Sequence, residues 1–142
     1  MNRTPRVLVI CTANRCRSQM AEGWPRHFAG DRLIVRSAGT RPGGLHPRAV
    51  ATMADHNVDI GGQTSDPLSR YGEDRFDLVV TVCDRAAAAC PTFPHAQRVE
   101  HRPFDDPDRP ELSDDEQGAL FQRVCGEIRD WARETVTALT GT

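Results

Sequence analysis

The sequence predicts an α/β fold built around a parallel sheet. Two apolar runs, Val7–Ile10 and Leu78–Val82, are short, rich in β-branched residues and bounded by polar segments, as strands buried on both faces are. Other stretches place apolar residues three and four apart, the spacing of amphipathic helices. Strand and helix alternate along the chain, which implies a three-layer sandwich around about four parallel strands. The 142 residues are enough for one domain, residues 1–142, with a substantial core.

Each element has its own signal. The first strand, Val7–Ile10, leads into Cys11 and a short loop. Met20, Ala21, Trp24 and Phe28 then mark a helix. Pro25 removes a backbone donor about two turns in, so a kink or early break is expected near Trp24. Leu33, Ile34 and Val35 open a second strand that ends at Ser37-Ala38-Gly39, and Gly39–Gly44 is a loop. Pro47 suits the first turn of a helix reaching about to His56, with Val50, Met53 and Ala54 on its buried face. Ile60–Leu68 is polar and irregular. The third strand, Leu78–Val82, ends on Cys83, and the Ala86–Ala89 run leads to Cys90. Arg98–His101 is a short fourth strand, followed by an acidic, Pro-rich loop. Ser113 and Glu116 match a capping box for the last helix. Its apolar stripe is Leu120, Phe121, Val124, Cys125, Ile128, Ala132, Val136 and Leu139.

Bulk composition narrows the function. Net charge is −2, which gives no reason to expect nucleic acid or a membrane surface as partner. All 18 basic residues are Arg, which removes lysine chemistry. No stretch is long and apolar enough for a signal peptide or a membrane span, so a cytoplasmic protein is expected. Five cysteines in that compartment favour catalysis or metal binding over a disulfide framework.

The chemistry concentrates in Cys11-Thr12-Ala13-Asn14-Arg15-Cys16-Arg17-Ser18. A loop that wraps from a strand into a helix turns successive N–H groups inward, and the helix adds the positive end of its dipole. Arg17 supplies a planar fork for two oxygens of a tetrahedral oxyanion. Cys11 then lies in an electropositive bowl that is expected to lower its thiol pKa. A thiolate beneath a bound oxyanion is a nucleophile aimed at the central atom. Ser18 either donates to the Cys11 sulfur or caps the helix. Because strands in a parallel sheet end at one edge, Cys83 should meet Cys11 there. On their own, Cys83 and Cys90 read as small buried hydrophobes; their spacing matches no zinc site, and it is their placement after the third strand that points to redox chemistry.

This loop resembles that of the low-molecular-weight tyrosine phosphatase superfamily. With the extension SQMAEGW and the three-cysteine pattern, the chain is similar to the thioredoxin-coupled arsenate reductases of that superfamily. The resemblance implies that loop residues Thr12 to Ser18 bind arsenate and that Cys11 is the nucleophile. It implies that Asp106, beside Asp105 in a DDP element, is the general acid. It further implies a relay in which Cys83 attacks Cys11, Cys90 attacks Cys83, and thioredoxin reduces the pair; separately, a monomer is expected. If residues 83–90 were helical, the Cys83 and Cys90 Cα atoms would stand roughly 10 Å apart, too far for a disulfide, so oxidation would have to unwind the segment. The family also binds potassium; Asn14, Glu22, Ser37, Thr64 and Asp66 match its ligand or neighbouring positions. Three departures stand out. Ala13 replaces a usual Gly and strains the loop if its φ is positive. Arg15 either adds charge at the mouth or faces solvent. Arg102-Pro103 replaces a common Trp-Gly. Cys16 and Cys125 read as structural, and no histidine reads as a base. The alternatives are a phosphatase using the same loop, which leaves Cys83 and Cys90 without a role, and a thiolate metal sensor, which leaves Arg17 without one.

Overall fold

The computed structural model describes residues 3–83 and 95–141. Strands β1 (Arg6–Cys11), β2 (Ile34–Gly39), β3 (Phe76–Thr81) and β4 (Ala96–His101) form one sheet in the order β2-β1-β3-β4, every pair parallel. Val7–Ile10 of β1 and Leu78–Thr81 of β3 are buried at successive positions. Successive strand residues point to opposite faces, so both faces of the central strands are covered. The α/β class and the parallel sheet are as expected. Cys90, the Ala86–Ala89 run and the expected unwinding on oxidation lie outside the described residues.

Three α-helices occur among the described residues: α1 (Arg17–Ala29), α2 (Pro47–Ala54) and α3 (Asp114–Thr140). α1 packs along α3 and against β1 and β2, while α2 packs against both helices. α1 runs through Pro25 rather than breaking near Trp24. The lost ladder bond is outweighed because Met20, Ala21 and Trp24 are buried, and Trp24 Nε1–H donates to Cys125 Sγ at 3.4 Å across the α1–α3 contact.

α2 stops at Ala54, short of His56, and Asn57 follows in the left-handed region at φ 62°. Its buried residues are Ala49, Thr52 and Met53; Val50 is half-buried and Ala54 is exposed. Ser113 caps α3 with the expected box, its side chain accepting from Glu116 N and Glu116 answering at Ser113 N. The buried stripe of α3 includes Trp131, while Leu120 and Leu139 are only partly covered.

Register fixes the active edge. Ile10 pairs with Thr81, and Val82 N donates to Ile10 O at 2.9 Å, so Cys11 and Cys83 leave the sheet side by side. Beyond β4, Arg102 N donates to Thr81 O and Phe104 N to Val82 O. That extension returns the acidic loop to the same edge.

Candidate active site

The loop between β1 and α1 is held by its carbonyls. Thr12 O accepts from Arg41 N and Ala13 O from Gly43 N, both at 2.8 Å, and Arg15 O accepts from His46 N at 3.2 Å. Asn14 O accepts from Gln19 Nε2 at 2.9 Å and Ser65 Oγ at 3.0 Å. In a trans peptide the following N–H points opposite to the carbonyl. Carbonyls drawn outward therefore turn the N–H groups of Ala13, Asn14, Arg15 and Cys16 toward the bowl. Asn14, not Ala13, takes the left-handed conformation, at φ 49°, so the strain expected at Ala13 does not arise. Gly39 closes the back: a Cβ there would lie 2.7 Å from Thr12 O.

Cys11, Thr12, Ala13, Asn14, Arg15, Cys16, Arg17, Cys83, Asp106 and Asp108 line one cavity of about 500 Å³. Cys11 and Cys83 both face this cavity, and Thr12 Oγ1 is hydrogen-bonded to Cys83 Sγ at 3.4 Å. The four described cysteines are free thiols. The neighbouring Cys83 thiol and burial push the Cys11 thiol up, against Arg17 and the Thr12 N–H, which pull it down. The expected lowering of the Cys11 pKa is therefore reversed in this arrangement. Arg17 donates to Phe104 O at 3.1 Å and pairs with Asp106 at 3.6 Å. Asp106 is half-exposed at the rim, and its Oδ1 accepts from Asp108 N at 3.0 Å. Asp105 faces away and pairs with Arg123, whose guanidinium holds its carboxyl below the usual range.

Ser18 neither reaches Cys11 nor caps α1. Its hydroxyl donates to Asn14 Oδ1 at 2.8 Å, and no side chain caps that helix. Arg15 stands at the mouth, donating to Asp108 Oδ2 and to Gly44 O, each at 3.2 Å. Asp108 escaped the sequence reading. Its signal was the Pro107 turn, which brings Asp106 and Asp108 to one side. Cys16, His46 and Asp108 place a sulfur, a nitrogen and an oxygen within 4.8 Å of one another. His46 Nδ1 accepts from Arg48 N at 3.0 Å as the cap of α2. Its Nε2 faces Asp108 Oδ1 at 3.3 Å, so both ring nitrogens already have hydrogen-bonding neighbours. Burial and the two carboxylates push the Cys16 thiol up to about 12. Cys125 is buried on α3 between Trp24 Nε1 and Met53 Sδ.

The residues matched to a potassium site are already engaged. Glu22 holds Arg26 and accepts from Ser37 Oγ at 2.6 Å; Asp66 holds Arg70 at 3.1 Å and accepts from Thr64 Oγ1 at 2.8 Å. Asn14 Oδ1 accepts from Ser18 and Gln19. A hard cation needs unshared oxygen lone pairs and surplus negative charge, so this donor set as it stands does not fit a bare potassium ion.

A thiol and a guanidinium facing one N–H-lined bowl, between a parallel strand and a helix, define a phosphatase-like enzyme that takes a tetrahedral oxyanion. The chain belongs to the low molecular weight phosphotyrosine protein phosphatase family, whose model matches residues 6–141. Similar to it is an arsenate reductase of Bacillus subtilis (strain 168), 46% identical over 129 residues, 90% of this chain and 92% of the relative. A solved arsenate reductase in the phosphate-binding state superposes with a TM-score of 0.83 at 29% identity, covering 95% of this chain and 98% of that one. A thioredoxin-dependent arsenate reductase from Corynebacterium glutamicum matches at 0.75 and 25% identity, covering 97% of this chain and 62% of that one.

Proposed function

We propose that the protein reduces arsenate to arsenite through a three-cysteine relay, in the cytoplasm, with a dithiol protein of the thioredoxin type as reductant. The observation that carries the reading is that Cys83 lines the same cavity as Cys11 and Arg17, so a second sulfur stands beside the nucleophile. A phosphatase needs only the first sulfur. The arsenate reductases among its relatives support the same choice.

Arsenate enters the bowl by displacing Asp106 from Arg17, and the loop N–H groups take its oxygens. An oxygen of the bound arsenate takes the Cys11 proton, and the resulting thiolate attacks arsenic. Asp106 protonates the departing oxygen, which leaves as water, and a Cys11–arsenic bond forms. Cys83 as thiolate then attacks the Cys11 sulfur. The sulfur–arsenic electron pair passes to arsenic, arsenite leaves, and a Cys11–Cys83 disulfide remains. Cys90 attacks Cys83, freeing the Cys11 thiolate and forming Cys83–Cys90. The external dithiol reduces that bond and is itself oxidised.

The test is arsenate-dependent NADPH consumption coupled through thioredoxin and its reductase. The native protein should turn over steadily, and Cys83→Ser should give at most a single slow turnover. Steady arsenite production by Cys83→Ser with thioredoxin as sole reductant would sink the relay. Vigorous phosphomonoester hydrolysis without arsenate reduction would favour the phosphatase.

A further inference from the structure

Glu22 lies on the inner side of α1 and is 7% exposed. A carboxylate so enclosed must have a counter-charge. One turn on, Arg26 provides it. Arg26 Nη2 binds Glu22 Oε2 and also donates to Val35 O at 2.8 Å, and Nη1 donates to Gln63 Oε1 at 3.0 Å. These contacts bridge a helix, a strand and a loop, which a solvent-facing i,i+4 pair does not do. The cavity behind the oxyanion loop, about 410 Å³, is lined by the carboxylates of Glu22, Asp59 and Asp66 and by Arg26, Arg36 and Arg70. Three of each sign leave no surplus for a mobile cation.

Arg26 also sets the direction of a chain of amides. A guanidinium only donates, so Gln63 must turn its oxygen to it. Gln63 Nε2 then faces away and donates to Gln19 Oε1 at 2.8 Å. That leaves Gln19 Nε2 to donate to Asn14 O at 2.9 Å and to Thr64 O at 3.0 Å. Asn14 is the left-handed residue on which the bowl turns.

We propose that Arg26 is the built-in cation of this rear site, filling the role an alkali ion would have, and a positioning residue that orients the oxyanion loop through Gln63, Gln19 and Asn14. The inference stands whether or not the oxyanion is arsenate. It rests on hydrogen bonds and charge balance, not on turnover.

The experiment compares potassium, sodium and tetramethylammonium chlorides at equal ionic strength. Thermal unfolding and calorimetric binding of inorganic phosphate are the readouts. The native protein should give the same midpoint and affinity in all three salts. Arg26→Ala should melt lower and bind phosphate about tenfold more weakly in tetramethylammonium. Potassium should restore both saturably, because the vacated carboxylate and carbonyl oxygens then form an ion site. A simple packing defect would not respond selectively to potassium. Arg26→Lys, which keeps the charge, should stay insensitive to potassium. If Arg26→Ala does not fold, Arg26→Gln, uncharged but of similar length, is read the same way. A saturable potassium response in the native protein overturns the proposal. So does an uncharged variant that is unaffected, or one impaired equally in all three salts.

Discussion

At the scale of residues, Cys11 is pulled two ways. Arg17 and the Thr12 N–H favour its thiolate, whereas the neighbouring Cys83 thiol and burial favour its thiol, with Cys83 the larger of these two. Replacing Cys83 by Ala deletes the largest upward contribution and leaves the downward ones. The pH midpoint for alkylation of Cys11, followed by peptide mass, should therefore move to lower pH. A midpoint that stays or rises would show that burial alone sets it. The nucleophile was readable from the sequence because Cys and Arg at that spacing, between a strand and a helix, have one evident use. Its protonation was not, because that depends on a sulfur seventy-two positions away. Asn14 teaches the same lesson. Which loop residue turns left-handed depends on donors from Arg41, Gly43, His46 and Ser65, and no local pattern reveals them.

At the scale of elements, the strands were readable where burial on both faces leaves unbroken apolar runs, as in β1 and β3. β4 is an edge strand with mostly exposed side chains, so its start at Ala96 was missed. Pro25 misled because a local cost was weighed without the packing of Trp24 on α3. The end of β2 makes a sharper claim. Gly39 sits against backbone, with Thr12 O and Asn14 N at 2.7 and 3.1 Å from a would-be Cβ, and backbone cannot swing aside as a side chain can. Gly39→Ala should therefore push the oxyanion loop off its seat. The expected cost is about 1–3 kcal/mol of unfolding free energy, read by urea titration, together with weaker phosphate binding. An Ala variant that binds phosphate as the native protein does would mean the loop has slack that the contacts do not suggest.

At the scale of the whole molecule, the core and the bowl are joined through α1, whose first residue is Arg17 and whose length packs on α3. A defect in that packing could in principle reach the site. The loop, however, is also fastened from its other side by Arg41, Gly43, His46 and Ser65, none of which belongs to α3. Ile128 separates the two possibilities. It is fully buried on α3 and makes no part of the cavity. Ile128→Ala leaves a hole that partial collapse does not fill, at a cost of about 2–5 kcal/mol in unfolding free energy. If the loop's own fastenings hold it, phosphate affinity measured well below the unfolding transition should equal that of the native protein. If affinity falls in step with stability, the bowl takes its shape from the helix pair, and the fastenings on the loop merely follow it.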